Sequence, residues 1–190
     1  MSTAGDAAAS GSRTARMLQA ECSSCSVASA GVCSGSRETI RDSQMERRQT
    51  VSEKRQELVK VLNQALAAEY GTLWLLPRHM AQVKDEELKR QLRLIAEAEL
   101  EHAEKSAQMI YGLGEKPTED LPNLRVRSGV QEILEAHLQG EQEAIALYER
   151  AYQFAEDTEM RKRLQEMRKD EEGHQRLLQM ALDKVLASPG

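Results

Sequence analysis

The sequence is poor in aromatic side chains: one tryptophan, one phenylalanine and four tyrosines occur among 190 residues. This scarcity, together with a charged fraction of 30%, argues against a β-sandwich and favours helices with solvated faces. Long apolar runs are also lacking, because no stretch approaches the roughly 20 apolar residues that span a bilayer. We therefore expect an α-helical protein of about one domain that does not enter a membrane.

Basic side chains are in the minority, since 26 Lys and Arg stand against 31 Asp and Glu and give a formal net charge of −5. An acidic chain is not expected to bind nucleic acid, because phosphate backbones attract positively charged surfaces. The N-terminus lacks the apolar core of a secretory signal, so a cytoplasmic location is expected. With only three cysteines and a reducing compartment, no structural disulfide is predicted.

The composition divides the chain into an N-terminal tail and a domain. Residues 1–36 are mostly Ala, Ser and Gly, and they contain Cys22, Cys25 and Cys33. Such a segment buries too little apolar surface to offset its ordering entropy, so residues 1–49 are predicted to be a disordered or partly helical tail. The cysteines are compatible with an inert tail, a zinc or iron–sulfur site completed elsewhere, a redox pair, or an organellar transit segment.

Residues 50–187 show helical apolar spacing and are predicted to form four helices. Thr50–Glu53 has the pattern of a capping box that opens the first helix, and Ser128–Gln131 has the same pattern before the third. Asp85 and Asp157 are the expected N-caps of the second and fourth helices.

The connections between the predicted helices are unequal. Short turns join the first helix to the second and the third to the fourth, but a loop with Pro117 and Pro122 separates the two hairpins. About 14 residues at ~3.3 Å each reach ~45 Å, which is the length of a 30-residue helix. The fold class predicted is therefore an all-α four-helix bundle with a long crossover between helices two and three.

The two predicted hairpins match each other at an offset of 72 residues without a gap. Similar hairpins packed face to face have an approximate two-fold axis, so matched residues are expected to lie symmetrically about it. The matched pairs are Leu62 and Leu134, Leu66 and Leu138, Glu69 and Glu141, Asp85 and Asp157, Leu92 and Leu164, Glu99 and Glu171, and His102 and His174.

The spacing within one hairpin places two glutamates opposite each other. Glu69 and Glu99 are equidistant from Lys84 at the proposed turn, and residues equidistant from the turn of an antiparallel hairpin lie at the same height. His102 follows Glu99 by one helical turn on the same face. The repeat predicts the same arrangement for Glu141, Glu171 and His174 in the second hairpin.

These six residues lie on the apolar stripes of their helices, which favours a metal site. Four ionised carboxylates in a bundle core would be very costly without compensation, and two divalent cations balance their charge. A Glu from each of two helices with Glu-x-x-His from the other two is the ligand set of di-iron and di-manganese bundles. Oxygen and imidazole ligands suit iron, with manganese as an alternative. A single Glu-x-x-His would indicate only a solvated face, but here two copies are related by the repeat.

The segment from about Val51 to Leu186 resembles the ferritin-like superfamily, and the bacterioferritins in particular. The stretches that carry the resemblance are Leu62–Glu69, Glu99–His102, Leu138–Ala144 and Asp170–His174. The resemblance implies a ferritin-like bundle at residues 50–187 with two iron ions per subunit. It implies that Glu69 and His102 bind one iron, that Glu141 and His174 bind the other, and that Glu99 and Glu171 bridge them.

The implied activity is that of a ferroxidase in iron storage or detoxification, in which O₂ or H₂O₂ oxidises Fe(II) to Fe(III) and these six residues are the catalytic residues. The alternatives are a rubrerythrin-like peroxide reductase, another di-iron oxidase or oxygenase without a storage cavity, or a non-enzymatic bundle whose carboxylates are structural or which stores metal passively.

Three features depart from the bacterioferritin pattern. Leu100 stands where the haem-ligating Met would be, so no Met-ligated haem is expected. Only 16 residues follow His174, which predicts no fifth helix and a homo-oligomer that is a dimer or a shell. Leu76 replaces a tyrosine of the first helix, and Tyr148 occupies the repeat-related position.

The remaining histidines and acids near the six residues are predicted to be peripheral. His137 and His79 are expected at the helix surface or its boundary, with a further ligand or proton carrier as the alternative for His137. The acids expected to be solvated are Glu97, Glu101, Glu104, Glu143 and Glu172.

Overall fold

The structure is a computed structural model that describes residues 35–187, so Cys22, Cys25 and Cys33 lie outside the described residues. Its four helices are α1 (Gly35–Met80), α2 (Glu86–Gly112), α3 (Val130–Phe154) and α4 (Thr158–Ala187). The predicted all-α fold is confirmed, including the long connection between α2 and α3. From Ser43 onward the described residues belong to one compact unit. None of the helices in residues 35–187 combines the length and the apolarity that a bilayer crossing requires.

The start of α1 differs from the prediction. The helix begins at Gly35 and runs through Thr50 without interruption, so the predicted capping box at Thr50–Glu53 is wrong. The Thr50 hydroxyl instead donates a hydrogen bond to the backbone carbonyl of Arg47, 2.9 Å away within the helix. The preceding residues are rich in Arg, Glu, Gln and Met, which are strong helix formers, and they extend the helix past the pattern that was expected to open it.

The caps of the other helices decide where the hairpin turns lie. Asp85 caps α2 as predicted, because its carboxylate accepts hydrogen bonds from the backbone N–H groups of Glu87 and Leu88 at 2.9 and 3.0 Å. Asp157 precedes α4, and its carboxylate accepts from the Met160 N–H at 2.7 Å. Both short turns are therefore fixed by an aspartate, in agreement with the sequence pattern.

The predicted capping box at Ser128–Gln131 is wrong. Gly129 is the N-cap of α3 and no side chain caps this helix. Gly129 has a φ of 91°, a left-handed conformation that glycine adopts more readily than any other residue. The helix therefore starts one residue later than the box requires, which leaves Ser128 outside it.

The crossover between α2 and α3 is attached to α1 at several points. The Asn63 side-chain oxygen accepts a hydrogen bond from the Thr118 backbone N–H at 2.6 Å. Pro122 packs against α1 where Gly71 has no side chain, since a Cβ there would lie 2.9 Å from Pro122 Cγ. Farther along, the Arg127 backbone N–H donates to His79 Nε2 at 3.0 Å.

The apolar core consists of two layers with charged residues between them. Leu62, Leu66, Ile110 and Met167 belong to the first layer. The second layer contains Leu76, Leu92, Ile95, Leu134, Leu138 and Leu178. On every helix one buried glutamate separates the two layers in sequence. Burying each leucine stabilises the fold by roughly 1.5–3 kcal/mol, so the layers hold the helices around this central level.

Candidate metal centre

The structure brings all six predicted site residues together at the level between the two apolar layers. Each of the four helices contributes one glutamate, and α2 and α4 each add a histidine one turn later. Five of the side chains are buried, and His174 is 14% exposed on the α4 side. The five buried side chains are Glu69, Glu99, His102, Glu141 and Glu171.

The ligand atoms of these residues form two overlapping groups. Glu69 and His102 belong to one group and Glu141 and His174 to the other, while Glu99 and Glu171 belong to both. Within each group the oxygen and nitrogen atoms all lie within 4.8 Å of one another, a separation at which one ion could contact all of them. Each group thus has one Glu–His pair of its own, and two carboxylates are common to both, which is the division that the resemblance to the bacterioferritins implies.

Several polar atoms at this centre lack hydrogen-bond partners. His102 Nδ1 lies 2.8 Å from a Glu171 oxygen and 3.4 Å from a Glu99 oxygen. All three of these atoms are buried, and none makes a hydrogen bond with satisfactory geometry. A buried unsatisfied polar atom costs about 1–3 kcal/mol, and more when it is charged. Convergent, unsatisfied N and O atoms are what a bound cation would satisfy, so the residues fit a metal.

His102 is oriented by a residue outside the six. Its Nε2 atom lies 3.4 Å from the carboxylate of the more exposed Asp170, which is on α4. A carboxylate that accepts from one ring nitrogen fixes the imidazole so that the other nitrogen can act as a ligand. Asp170 therefore directs Nδ1 of His102 towards Glu99 and Glu171.

Tyr148 supports the opposite side of the centre. Its ring is completely buried on α3, and its hydroxyl donates a hydrogen bond to the Glu69 carboxylate on α1. Burial and the nearby carboxylates raise the pKa of Tyr148 well above 10, so the hydroxyl keeps its proton. Tyr148 is related to Leu76 by the 72-residue repeat, so the tyrosine of this centre lies on α3 and not on α1.

When no metal is bound, the four carboxyls of the centre differ in the direction of their pKa shifts. Burial raises the pKa of Glu69 well above its usual value, and burial raises that of Glu141 to about 8. Burial also opposes ionisation of Glu99 and Glu171, but their interactions with neighbouring carboxyls and with His102 and His174 outweigh it and lower both pKa values. Two carboxyls are therefore protonated near neutral pH and two are ionised.

Both histidines of the centre take up protons when metal is absent. Burial favours a neutral His102, but the carboxylates of Glu171 and Glu99 raise its pKa to about 10. His174 is also opposed by burial, and its acidic neighbours, including Glu141, raise its pKa to about 12. Two imidazolium ions thus balance the two ionised carboxylates.

The prediction for His79 and His137 is wrong. His79 is 0% exposed and His137 is 5% exposed, and their ring nitrogens lie 2.9 Å apart. One signal for burial was present, since His137 precedes Glu141 by one turn and so shares its inward face. The crossover residue that contacts His79 could not be found from spacing.

Of the acids predicted to be solvated, Glu172 is half-buried and pairs with Arg168 at 3.0 Å, and the other four are exposed.

The ferritin-like domain family model matches residues 55–186, which is more than two thirds of the chain. The chain belongs to the ferritin-like family. The membership predicted from Glu69, Glu99, Glu141 and Glu171 and their surrounding motifs is thereby confirmed. No curated protein matches this ferritin-like sequence.

Solved structures similar to this ferritin-like protein include a ferritin-like, di-iron carboxylate protein from Bacillus anthracis. It has 30% sequence identity and a TM-score of 0.65, and the match covers 68% of this chain and 97% of that one. A Desulfovibrio desulfuricans bacterioferritin has 23% identity and a TM-score of 0.62, with 71% and 83% covered. A dodecameric thioferritin, the bacterioferritin-related protein of Bacteroides fragilis, has 20% identity and a TM-score of 0.62, with 73% and 95% covered. The latter two matches show the fold.

Proposed function

We propose that this protein binds two iron ions and oxidises Fe(II) to Fe(III) with O₂ or H₂O₂, as a ferroxidase in iron storage or detoxification. The observation that carries the proposal is the pair of overlapping ligand groups that share Glu99 and Glu171. The similar protein from Bacillus anthracis is described as a di-iron carboxylate protein, which supports the choice of iron. The active domain spans residues 50–187.

The roles of the six residues follow from their places in the two groups. Glu69 and His102 would hold one iron, and Glu141 and His174 would hold the other. Glu99 and Glu171 belong to both groups, so the two ions would share these carboxylates. Oxygen-rich ligands with one imidazole per ion suit iron, and manganese is the alternative metal.

The surrounding residues prepare these side chains for the metal. When bound, a pair of ferrous ions can supply two electrons to one oxidant molecule. The hydroxyl of Tyr148 holds the Glu69 carboxylate, and Asp170 holds the His102 ring. The apolar layers around Leu66 and Leu76 limit water at this level. The half-exposed Glu172 and the partly exposed His174 lie on the α4 side, where we expect ions to enter.

A storage role requires an assembled shell, and a purely oxidative role does not. One similar protein is a dodecamer, so we propose a homo-oligomer for this chain as well. The mass of the purified protein in solution distinguishes a dimer from a shell. A shell that encloses a ferric mineral supports storage, and a dimer restricts the protein to oxidation.

The activity is tested by adding O₂ or H₂O₂ to protein loaded with Fe²⁺ under anaerobic conditions. A ferroxidase oxidises Fe²⁺ added in excess of two per chain and yields a soluble ferric product. A peroxide reductase consumes H₂O₂ in turnover with an electron donor and forms no mineral, which would replace the proposed activity with the rubrerythrin-like one. Glu141→Ala should abolish the reaction, whereas the exposed Glu143→Ala is the matched control.

A further inference from the structure

An apolar cleft lies between the start of α2 and the C-terminal half of α4, and none of the residues that line it belongs to the metal centre. Its volume is about 840 Å³. A cleft of this size, lined mainly by apolar side chains with a few polar groups, is typical of sites for small organic ligands. The apolar side chains that line it are those of Leu88, Val130, Leu177, Met180, Ala181 and Val185.

The walls of the cleft continue the second apolar layer of the core to the surface. Leu88 belongs to that layer, and Leu177, Ala181 and Val185 pack against it. Met180 is 73% exposed, which is the highest exposure among the large apolar side chains that the structure describes. Full burial of such a side chain stabilises a complex by roughly 1.5–3 kcal/mol, so this wall favours an apolar ligand.

The acidic side chains that line the cleft are already engaged within the chain. Asp85 caps α2, and its carboxylate also lies 3.5 Å from Lys184 Nζ. Glu87 accepts hydrogen bonds from the Arg90 guanidinium at 2.9 and 2.6 Å. Because each of these carboxylates has a cation beside it, the two acids repel an incoming anion only weakly.

Two cations of the cleft make no ion pair with any of the described residues. Lys84 is exposed at the turn between α1 and α2, and Arg176 is exposed on α4. Glu172, one turn before Arg176 on the same helix, pairs with Arg168 at 3.0 Å. The forked N–H donors of a guanidinium fit a carboxylate. The charge of the cleft is therefore complementary to an anion.

The dimensions of the cleft suit a single acyl chain. Arg176 and Lys184 are separated by ~12 Å along α4, which is close to the length of an extended decyl chain. The contact between Lys184 and Asp85 joins the two walls of the cleft near one end. A helix from a partner protein is about 10 Å wide, so this contact obstructs a helix but leaves room for a narrow chain.

We propose that the cleft binds a free medium-chain fatty carboxylate, with its acyl chain against Leu177 and Met180 and its carboxylate at Arg176. The apolar walls hold the chain, and the unpaired guanidinium fixes the end at which the carboxylate lies. The site is independent of the proposed function, because none of the six metal-centre residues lines it.

The experiment is a calorimetric titration of the full chain with decanoate. Wild type should bind one decanoate per chain. Met180→Glu replaces an apolar contact by a like charge, so it should weaken decanoate at least about tenfold. Since Met180 is exposed, the variant should keep the wild-type melting temperature. Met45→Glu is the matched control, because Met45 is 69% exposed on α1 away from the cleft, and it should bind decanoate like wild type.

Arg176→Gln tests the position of the carboxylate. It should weaken decanoate about fivefold, as expected for an ion pair in contact with water, and should leave the affinity for uncharged decanol within about twofold of wild type. Arg93→Gln, which changes an exposed arginine of α2 outside the cleft, should alter neither affinity.

The inference is overturned if wild type binds no decanoate at millimolar concentration, or if Met180→Glu and Met45→Glu bind it equally. It is also overturned if Arg176→Gln weakens decanol as much as decanoate. A lower mass of Met180→Glu in solution would overturn it as well, because a second copy of the chain would then be the occupant of the cleft.

Discussion

At the scale of single residues, four glutamates in the core of a bundle constrain the chain most strongly. Glu69, Glu99, Glu141 and Glu171 are all buried between layers of leucine and isoleucine. Their charge is tolerable only with protons or cations beside them. Tyr148 and Asp170 contribute by fixing the orientation of Glu69 and His102.

The hydroxyl of Tyr148 should favour the metal held by Glu69. Its hydrogen bond lowers the pKa of Glu69 against the effects of burial and of Glu99. Tyr148→Phe removes the donor without changing the ring, so the affinity of the first ion should fall roughly ten- to a hundredfold, as expected for a hydrogen bond to a charged group. A Co²⁺ titration measures this. Tyr152→Phe, one turn later, is the control and should bind normally; equal losses in both variants would contradict the assignment.

Burial of His137 should make the metal-free protein sensitive to acid. Burial first, and then His79, lower the pKa of His137 to about 4, from about 6.5 when unfolded. Between these pH values only the unfolded chain binds the proton, so stability is lost as the pH falls from 6.5 towards 4. The free energy of unfolding is measured with urea in the presence of a chelator. The value for His137→Leu minus the value for wild type should therefore be about 2 kcal/mol larger at pH 4.5 than at pH 7. A difference that does not vary with pH would refute this.

The sequence was sufficient for the six site residues but not for the histidine pair. The 72-residue repeat relates Glu69 to Glu141 and Glu99 to Glu171, so each position has an independent copy. His79 and His137 have no such copy, and their burial depends on the Arg127 amide of the crossover. A contact with an irregular loop leaves no periodic signal in the sequence.

At the scale of helices, the two N-caps predicted at Asp85 and Ser128 should differ in their effect on stability. Asp85→Ala should lower the free energy of unfolding by about 1 kcal/mol, because Asp85 accepts two backbone N–H groups of α2. Ser128→Ala should change it by less than about 0.5 kcal/mol, because Ser128 does not cap α3. Urea unfolding curves measure both values. A larger effect at Ser128 than at Asp85 would show that the cap assignments are reversed.

Helix boundaries were predicted well only where one residue determines them. Asp85 and Asp157 each hold backbone amides at a helix start, and both were found from sequence. Thr50 matched a capping pattern but lies inside α1, because strong helix formers precede it. At Ser128 the pattern failed because Gly129 adopts a φ of 91° and takes the cap position.

At the scale of the whole molecule, metal binding is an exchange of protons for cations. Without metal, the centre holds two ionised carboxylates, two neutral carboxyls and two imidazolium ions, which give a formal charge of zero. With two divalent ions, all four carboxylates are ionised and both imidazoles are neutral, so the formal charge is again zero. The net charge of the bundle therefore changes little on loading, although the ligands change their protonation completely.

This exchange predicts that about four protons leave as two ions bind near pH 7, from Glu69, Glu141, His102 and His174. The raised pKa values mean that rising pH removes the competing protons, so metal affinity should increase with pH through the pKa of Glu141 at about 8. Calorimetry in buffers with different ionisation enthalpies counts the protons released. Release of fewer than two protons would contradict the assigned protonation states.

The most direct measurement of the central claim is an anaerobic equilibrium titration with Fe²⁺. Wild type and the control Glu97→Ala/Glu101→Ala, whose side chains are exposed on α2, should each bind two Fe²⁺ per chain. Glu99→Ala/Glu171→Ala removes the two carboxylates common to both ligand groups, so binding of both ions should be lost. Equal Fe²⁺ binding by wild type and Glu99→Ala/Glu171→Ala would show that the metal centre is not where these residues meet.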